Sequence, residues 1–251
     1  MRRVESDMQT SQVQGSVKRV AIAGNPVAAF WQTVIGKKIV MAVTGIVLIG
    51  FVLGHVFGNL KIFLGAETIN AYSRFLREVG QPELEYGQLL WIVRIVLLVC
   101  VVLHILAAYQ LTVFSAAARP VGYGQKKNVE TTYSALLMRW GGVVLLAFVI
   151  FHLLHLTGGV VGFSTGQFHH LQVYQNVVAA FHNLPVSIFY IVAMAALGFH
   201  LDHGIWSMLQ TLGFITRKNT KWLRTLSIII AILVFLGFIS VPVSVLAGWI
   251  N

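Results

Sequence analysis

Five apolar runs dominate the chain and limit the folds open to it. They cover about Ile39–Phe63, Leu89–Phe114, Met138–Gly159, Pro185–Leu209 and Leu223–Trp249. Each is long enough to cross a bilayer as a helix, which takes about 20 mostly apolar residues. Inside hydrocarbon every backbone amide needs an internal partner, so runs of this length span as helices. Composition agrees: 57% of the 251 residues are hydrophobic and 10% are charged, against roughly 25% charged in soluble domains. The expectation is an all-α integral membrane protein, a five-transmembrane-helix bundle over residues 37–251, preceded by a polar segment, residues 1–36.

The basic residues give the orientation, since Lys and Arg collect in cytoplasmic loops. Arg2, Arg3, Lys18, Arg19, Lys37 and Lys38 precede the first run. Arg119, Lys126, Lys127 and Arg139 lie between or beside the second and third, and Arg217, Lys218, Lys221 and Arg224 between or beside the fourth and fifth. The other connections are poor in positive charge. The first holds Lys61, Arg74 and Arg77 offset by Glu67, Glu78, Glu83 and Glu85, and the stretch from about Phe163 to Leu184 holds none. The N-terminus is therefore expected in the cytoplasm and the C-terminus outside, in a multi-pass protein of the cell (plasma or inner) membrane. The net charge of +10 would suggest nucleic acid in a soluble protein. Here topology accounts for it, and no nucleic-acid partner is expected.

The opening residues lack the apolar core of a signal peptide. Cys100 is the single cysteine, which rules out an internal disulfide, CxxCH haem attachment and cysteine-rich metal sites. In the first outer loop "AETINAYSRFLREV" spaces Ala71, Phe75, Leu76 and Val79 at helical intervals, the pattern of a short amphipathic surface helix.

Against this background the histidines stand out. Ionisable or metal-ligating side chains at membrane depth are rare and mark function. His55, His104, His152, His155, His200 and His203 lie in or near the first four runs, and none lies in the fifth. At 1.5 Å per residue, His55 sits roughly 25 Å beyond Lys38 and His152 roughly 20 Å beyond Arg139, both in the outer half. His104 lies ten residues past Arg94 and His200 fifteen past Pro185, on helices running the other way, so both fall in the inner half. Two depth-matched pairs on four helices suit bis-histidine haem iron. A single membrane histidine can simply hydrogen-bond a neighbouring helix; four in two layers point to a shared cofactor. Gly50, Gly54 and Gly58 on the first run, Gly141 and Gly142 on the third, and Gly198 and Gly204 on the fourth supply small residues beside the ligands. His155 and His203 follow His152 and His200 by three residues, on similar faces. Spacing alone leaves each a rival ligand.

The segments "GHVFGNLKIFLG", "LHILAAYQLT", "MRWGGVVLLAFVIFHLLHLT" and "GFHLDHGIWSMLQTLG" resemble the di-haem cytochrome b membrane anchor of bacterial and archaeal succinate dehydrogenase and fumarate reductase, the class with one five-helix anchor subunit. The resemblance runs from Lys37 to the end of the fifth helix. It implies ligands on the first four helices, matched here by His55 (with Asn59 one turn on), His104, His152 (thirteen residues after Arg139) and His200 (with Gly204 and Trp206). It thus prefers His152 over His155 and His200 over His203. It implies two haem b groups, an outer one at His55/His152 and an inner one at His104/His200. It also implies a menaquinone-type quinone as substrate, and flavoprotein and iron–sulfur partner subunits in a complex that can oligomerise. The chain would be the non-catalytic membrane subunit of a succinate:quinone oxidoreductase. A fumarate reductase relative carries a glutamate two residues before the fourth-helix ligand at its quinone site; this chain has Gly198. The remaining quinone-site candidates are Asp202 and His203 near the inner pair, and His155, His169, His170 and His182 near the outer one. Arg94 is a candidate partner for an outer-haem propionate, or a snorkelling anchor. Competing expectations are a di-haem cytochrome b of another respiratory complex and a haem-free histidine-relay ion or metal transporter.

Overall fold

The computed structural model describes residues 25–118 and 133–251. The polar N-terminal segment up to residue 24, and the loop holding Arg119, Lys126 and Lys127, lie outside the described residues. Packing divides the chain into two units, Met1–Lys37 and Lys38–Asn251. In the first, Asn25 caps a short helix, α1 (Pro26–Gln32): its side chain accepts from the Val27 amide, and proline occupies the first turn, where its missing N–H costs nothing.

The described helices long and apolar enough to span a membrane number five. They are α2 (Val34–Leu60), α4 (Gln88–Ala117), α5 (Tyr133–His152, continued by a π-helical turn, Leu153–Thr157), α7 (Leu184–Thr211) and α8 (Thr220–Leu246). Each matches one predicted run. The helix ends differ because a helix does not stop where apolar residues stop. Lys37 and Lys38 lie inside α2, and α8 starts at Thr220, before the apolar residues begin. At its other end α8 finishes at Leu246, ahead of the expected Trp249. There Gly248 adopts φ 71°, its amide bonds the Val245 carbonyl and the Trp249 amide bonds the Ser244 carbonyl. That is the Schellman closure, which favours glycine at the left-handed position.

The predicted amphipathic surface helix is α3 (Ala66–Glu78), reached through a 3-10 turn, Lys61–Leu64. A further short helix, α6 (Val173–Phe181), lies between α5 and α7 and was not expected. Asn70 ties the two together: its Oδ1 accepts from the Tyr174 amide and its Nδ2 donates to Gln175. Asn176, 4% exposed, holds the preceding loop by accepting from the His169 amide and donating to the His169 carbonyl. These pieces cap the end of the bundle that bears His55 and His152.

Helix α7 is the central element, packed closely on both α5 and α8. Apolar side chains lose little by facing lipid, so helices associate through close packing at small residues. Ser187, Ser227 and Ser244 are buried, and a Cβ at Gly198 would stand 3.6 Å from Phe235 Cβ across the α7–α8 contact. Two apolar clusters fill the packing around α7: one joins Phe148 of α5 and Phe181 of α6 to Tyr190, Met194 and Val245, and the other, on α7 and α8, holds Leu201, Ile205, Ala231 and Val234. Helices α2 and α4 stand further off, meeting the other spans at no more than isolated close backbone approaches. Ile49 and Val52 of α2 rest on the second cluster. Large apolar side chains elsewhere on the spans face outward, among them Phe57, Trp91, Leu98 and Leu233.

One glycine sets how near α2 comes to α8. A Cβ at Gly237 would lie 2.6 Å from Val56 Cγ2. The replacement Gly237→Ala should therefore destabilise the bundle by about 1–3 kcal/mol through overpacking. Adding Val56→Ala should return most of the loss. Thermal unfolding of the two variants in detergent checks this; equal melting of G237A and the wild-type chain would contradict it.

Candidate functional site

Helical geometry brings the four predicted ligands together in two pairs. His55 of α2 and His152 of α5 have ring centroids 5.9 Å apart at an interplanar angle of 81°. His104 of α4 and His200 of α7 have centroids 6.3 Å apart at 56°. Tyr190, which contacts His152, precedes His200 by ten residues on α7, so the layers are separated by roughly 15 Å along the helix.

The separation within each pair has chemical meaning. Direct imidazole hydrogen bonds need about 3 Å between heteroatoms, and the structure records ring contacts rather than hydrogen bonds between the paired histidines. Two imidazoles on opposite sides of one metal ion, each bound at about 2.0–2.1 Å, have ring centres about 6 Å apart. Both pairs have that spacing.

Each ring is held by different neighbours. His104 Nδ1 lies 3.1 Å from the Met41 carbonyl and 3.2 Å from Thr44 Oγ1. A carbonyl only accepts, so Nδ1 carries the ring proton and Nε2 keeps its lone pair. This outer support is what a ligating histidine requires. Thr44, 5% exposed, is itself fixed by donating to the Val40 carbonyl at 2.8 Å. Gly45 lies against the same ring, where a Cβ would be 3.6 Å from His104 Cε1. His152 Nδ1 lies 3.2 Å from the Tyr190 hydroxyl, and Phe148 stacks on its ring at 5.7 Å. His55 stacks on Phe51 at 5.2 Å and touches Phe238. The buried Nδ1 of His200 has no hydrogen-bond partner among the described residues.

The residues fit haem iron on two counts. The ring spacing would admit one metal ion between the members of each pair. Among the described residues no group of three or more His, Cys, Asp or Glu converges on one point. That disfavours an ion held wholly by side chains, whereas a porphyrin brings four nitrogens of its own and asks the protein for two. The glycines do not add a third: a Cβ at Gly50, Gly54 or Gly142 would meet no described residue within 4 Å, but Gly50 and Gly54 are exposed on the helix surface. A Cβ at Gly58 would lie 2.9 Å from Tyr72 Cε1, so this glycine makes room for α3.

The other predicted residues sit outside the two pairs. Asp202 makes an ion pair with Arg224 at 2.8 Å, joining α7 to α8, and Arg224 also lies over the Trp206 ring at 5.9 Å. His203 is half-buried beside it, while His169, His170 and His182 are exposed in and after the loop around α6. The guanidinium of Arg94 lies over Trp91, 4.9 Å from the ring centre. His155 is fully buried and bonded through Nδ1 to the Tyr190 hydroxyl at 3.0 Å.

Three supporting residues escaped the sequence reading: Thr44, the Met41 carbonyl and Tyr190. Tyr190 did leave a signal, since it is the only tyrosine inside the fourth apolar run. Thr44 and Met41 left none, because a hydroxyl bonded to its own helix and a backbone carbonyl look ordinary in sequence.

No curated protein and no solved structure matches the chain. Residues 121–239 match the family described as succinate dehydrogenase/fumarate reductase transmembrane subunit. The matched segment holds His152 and His200, one member of each pair, while α2 and α4 supply the other member from outside it. The match covers just under half of the 251 residues and, with the five apolar helices, supports a multi-pass membrane subunit of that oxidoreductase complex.

Proposed function

We propose that the chain is the membrane-anchor cytochrome b subunit of a succinate dehydrogenase or fumarate reductase. In this reading it carries two haem b groups, one between His55 and His152 near the outer face and one between His104 and His200 near the inner face. The observation that carries the reading is the pair of imidazole–imidazole separations, 5.9 and 6.3 Å, each with room for one metal ion between the rings. The family match over residues 121–239 supplies the complex. When bound, the haems would supply one-electron redox chemistry at two depths, linking an iron–sulfur subunit at the inner face to a menaquinone-type quinone.

The chain's own residues then have definite tasks. The four histidines hold the iron and keep it away from water. Met41 and Thr44 orient the His104 ring and keep its proton on Nδ1. The apolar walls, with Phe51, Phe148 and Phe238 against the outer pair, lower the local dielectric and so act on the potential. Arg94 is the candidate cation for an outer-haem propionate. Asp202 and His203 are candidates for proton exchange with a quinone at the inner end. The flavoprotein would oxidise succinate or reduce fumarate, and this chain would anchor it through the iron–sulfur subunit.

Purification from membranes with haem quantification tests the reading. The expected result is a b-type reduced spectrum with about two haems per chain, and recovery of flavoprotein and iron–sulfur subunits with it. A haem-free chain would overturn it and favour a histidine-relay transporter. Haem with a different set of redox partners would move the chain to another respiratory complex.

The layer assignment has its own test. Either His55→Ala or His152→Ala should lower the haem content to about one per chain by removing the outer group. Likewise His104→Ala or His200→Ala should remove the inner one. The two remaining haems should differ in α-band and midpoint potential. If His55→Ala and His104→Ala left the same haem behind, the pairing would be wrong.

A further inference from the structure

Tyr190 lies between two histidines of the same helical turn region. Its hydroxyl is 3.2 Å from His152 Nδ1 and 3.0 Å from His155 Nδ1. His155 belongs to the π-helical turn Leu153–Thr157, a deviation frequent at functional sites. The ring is completely shielded from solvent. Phe151 and Phe163 stand against it at 5.1 and 4.9 Å. Gly162 closes the remaining side: a Cβ there would lie 2.7 Å from His155 Nε2 and 2.6 Å from Cδ2. Gly162 also has φ 77°, so the chain at that point suits only glycine on two grounds. His155 is thus enclosed by protein, and among the described residues its hydrogen-bonding neighbour is Tyr190.

We propose that Tyr190 is a positioning residue for the outer iron ligand His152, and that His155 is the buried acceptor that aims the Tyr190 hydroxyl at it. The inference rests on the reading of His152 as a haem ligand. A tyrosine hydroxyl has one proton to give and lone pairs to receive. If His152 binds iron through Nε2, its Nδ1 carries the ring proton and donates to Tyr190 Oη. The Tyr190 hydroxyl then donates to His155 Nδ1, whose own ring proton sits on Nε2. All bonds in the chain run one way, from His152 through Tyr190 to His155, and each strengthens the next by polarisation. A ligating histidine whose other N–H is well accepted becomes a more basic ligand. More basic imidazole favours ferric over ferrous iron and so lowers the midpoint potential. The inner pair has a different device, the Met41 carbonyl, so the two haems are tuned by separate residues.

The test is redox potentiometry of the purified complex, with optical and low-temperature EPR detection. In Tyr190→Phe the outer haem should move upward in potential. The ferric/ferrous equilibrium should shift about threefold to tenfold, tenfold being 59 mV for one electron. The highest EPR g value of that haem should move with it, while the inner haem keeps both its potential and its signal. The replacement His155→Leu should shift the outer haem in the same direction by less. The double variant should go no further than Y190F, because His155 acts only through the hydroxyl. Two bound haems with unchanged potentials in Y190F would overturn the inference and leave the di-haem reading intact. So would equal shifts in both haems. If the wild-type complex bound no haem, the di-haem reading itself would fall. Should Y190F not assemble, H155L alone decides by the same readout.

Discussion

The fold depends on the placing of four imidazoles at depths where there is no water to solvate them. A polar ring in hydrocarbon needs partners; here His104 and His152 have hydrogen bonds, while the buried Nδ1 of His200 has none among the described residues, and the rings meet across helices in twos. His104 reaches back to Met41 and Thr44 on α2 and faces His200 on α7. His55 faces His152. Each pair links one helix of the loosely held group, α2 or α4, to one of the closely packed group, α5 or α7. Direct helix packing does less for α2 and α4, which make only isolated close backbone approaches to the other spans. On the proposed reading the cofactor is also structural, because each bound iron would tie two helices that otherwise touch little.

The packing of the rest of the bundle follows from that division. The interface of α7 with α5 and α8 is built on small residues and buried serines, as lipid-immersed helices require. Gly50 and Gly54, by contrast, are exposed on α2, where a Cβ would meet no described residue within 4 Å. The loop-rich end serves a different purpose. There α3, α6 and the hydrogen bonds of Asn70 and Asn176 close the bundle over the His55/His152 layer. The π-helical turn at the end of α5 brings His155 under Gly162, where it can hold Tyr190.

Much of this is legible in the amino-acid order, for physical reasons. Twenty apolar residues in a row have few folds open to them, so all five spans could be read directly. The histidine layers could be read too, because helix rise turns a residue count into depth. The misses fall where structure depends on backbone groups or on contacts distant in sequence. Helix α2 begins at Val34, ahead of the run expected from Ile39, since Lys37 and Lys38 interrupt hydropathy and not hydrogen bonding. Helix α6 is nine residues long and was hidden in a connection. Gly58, one of the small residues expected beside the ligands, instead faces Tyr72 of α3. Spacing could not separate His152 from His155. In three dimensions the two differ plainly, one facing His55 across the bundle and the other walled in behind Tyr190.

The central claim is that each histidine pair holds one iron from both sides. Pulsed EPR on the oxidised complex, grown with 15N-labelled histidine, measures this directly, because label distinguishes imidazole nitrogen from porphyrin nitrogen. Expected are two distinct low-spin ferric signals, each strongly coupled to two directly bound labelled nitrogens, one from each imidazole, with the two remote ring nitrogens coupled weakly. A signal strongly coupled to one bound labelled nitrogen, or to none, would contradict paired ligation.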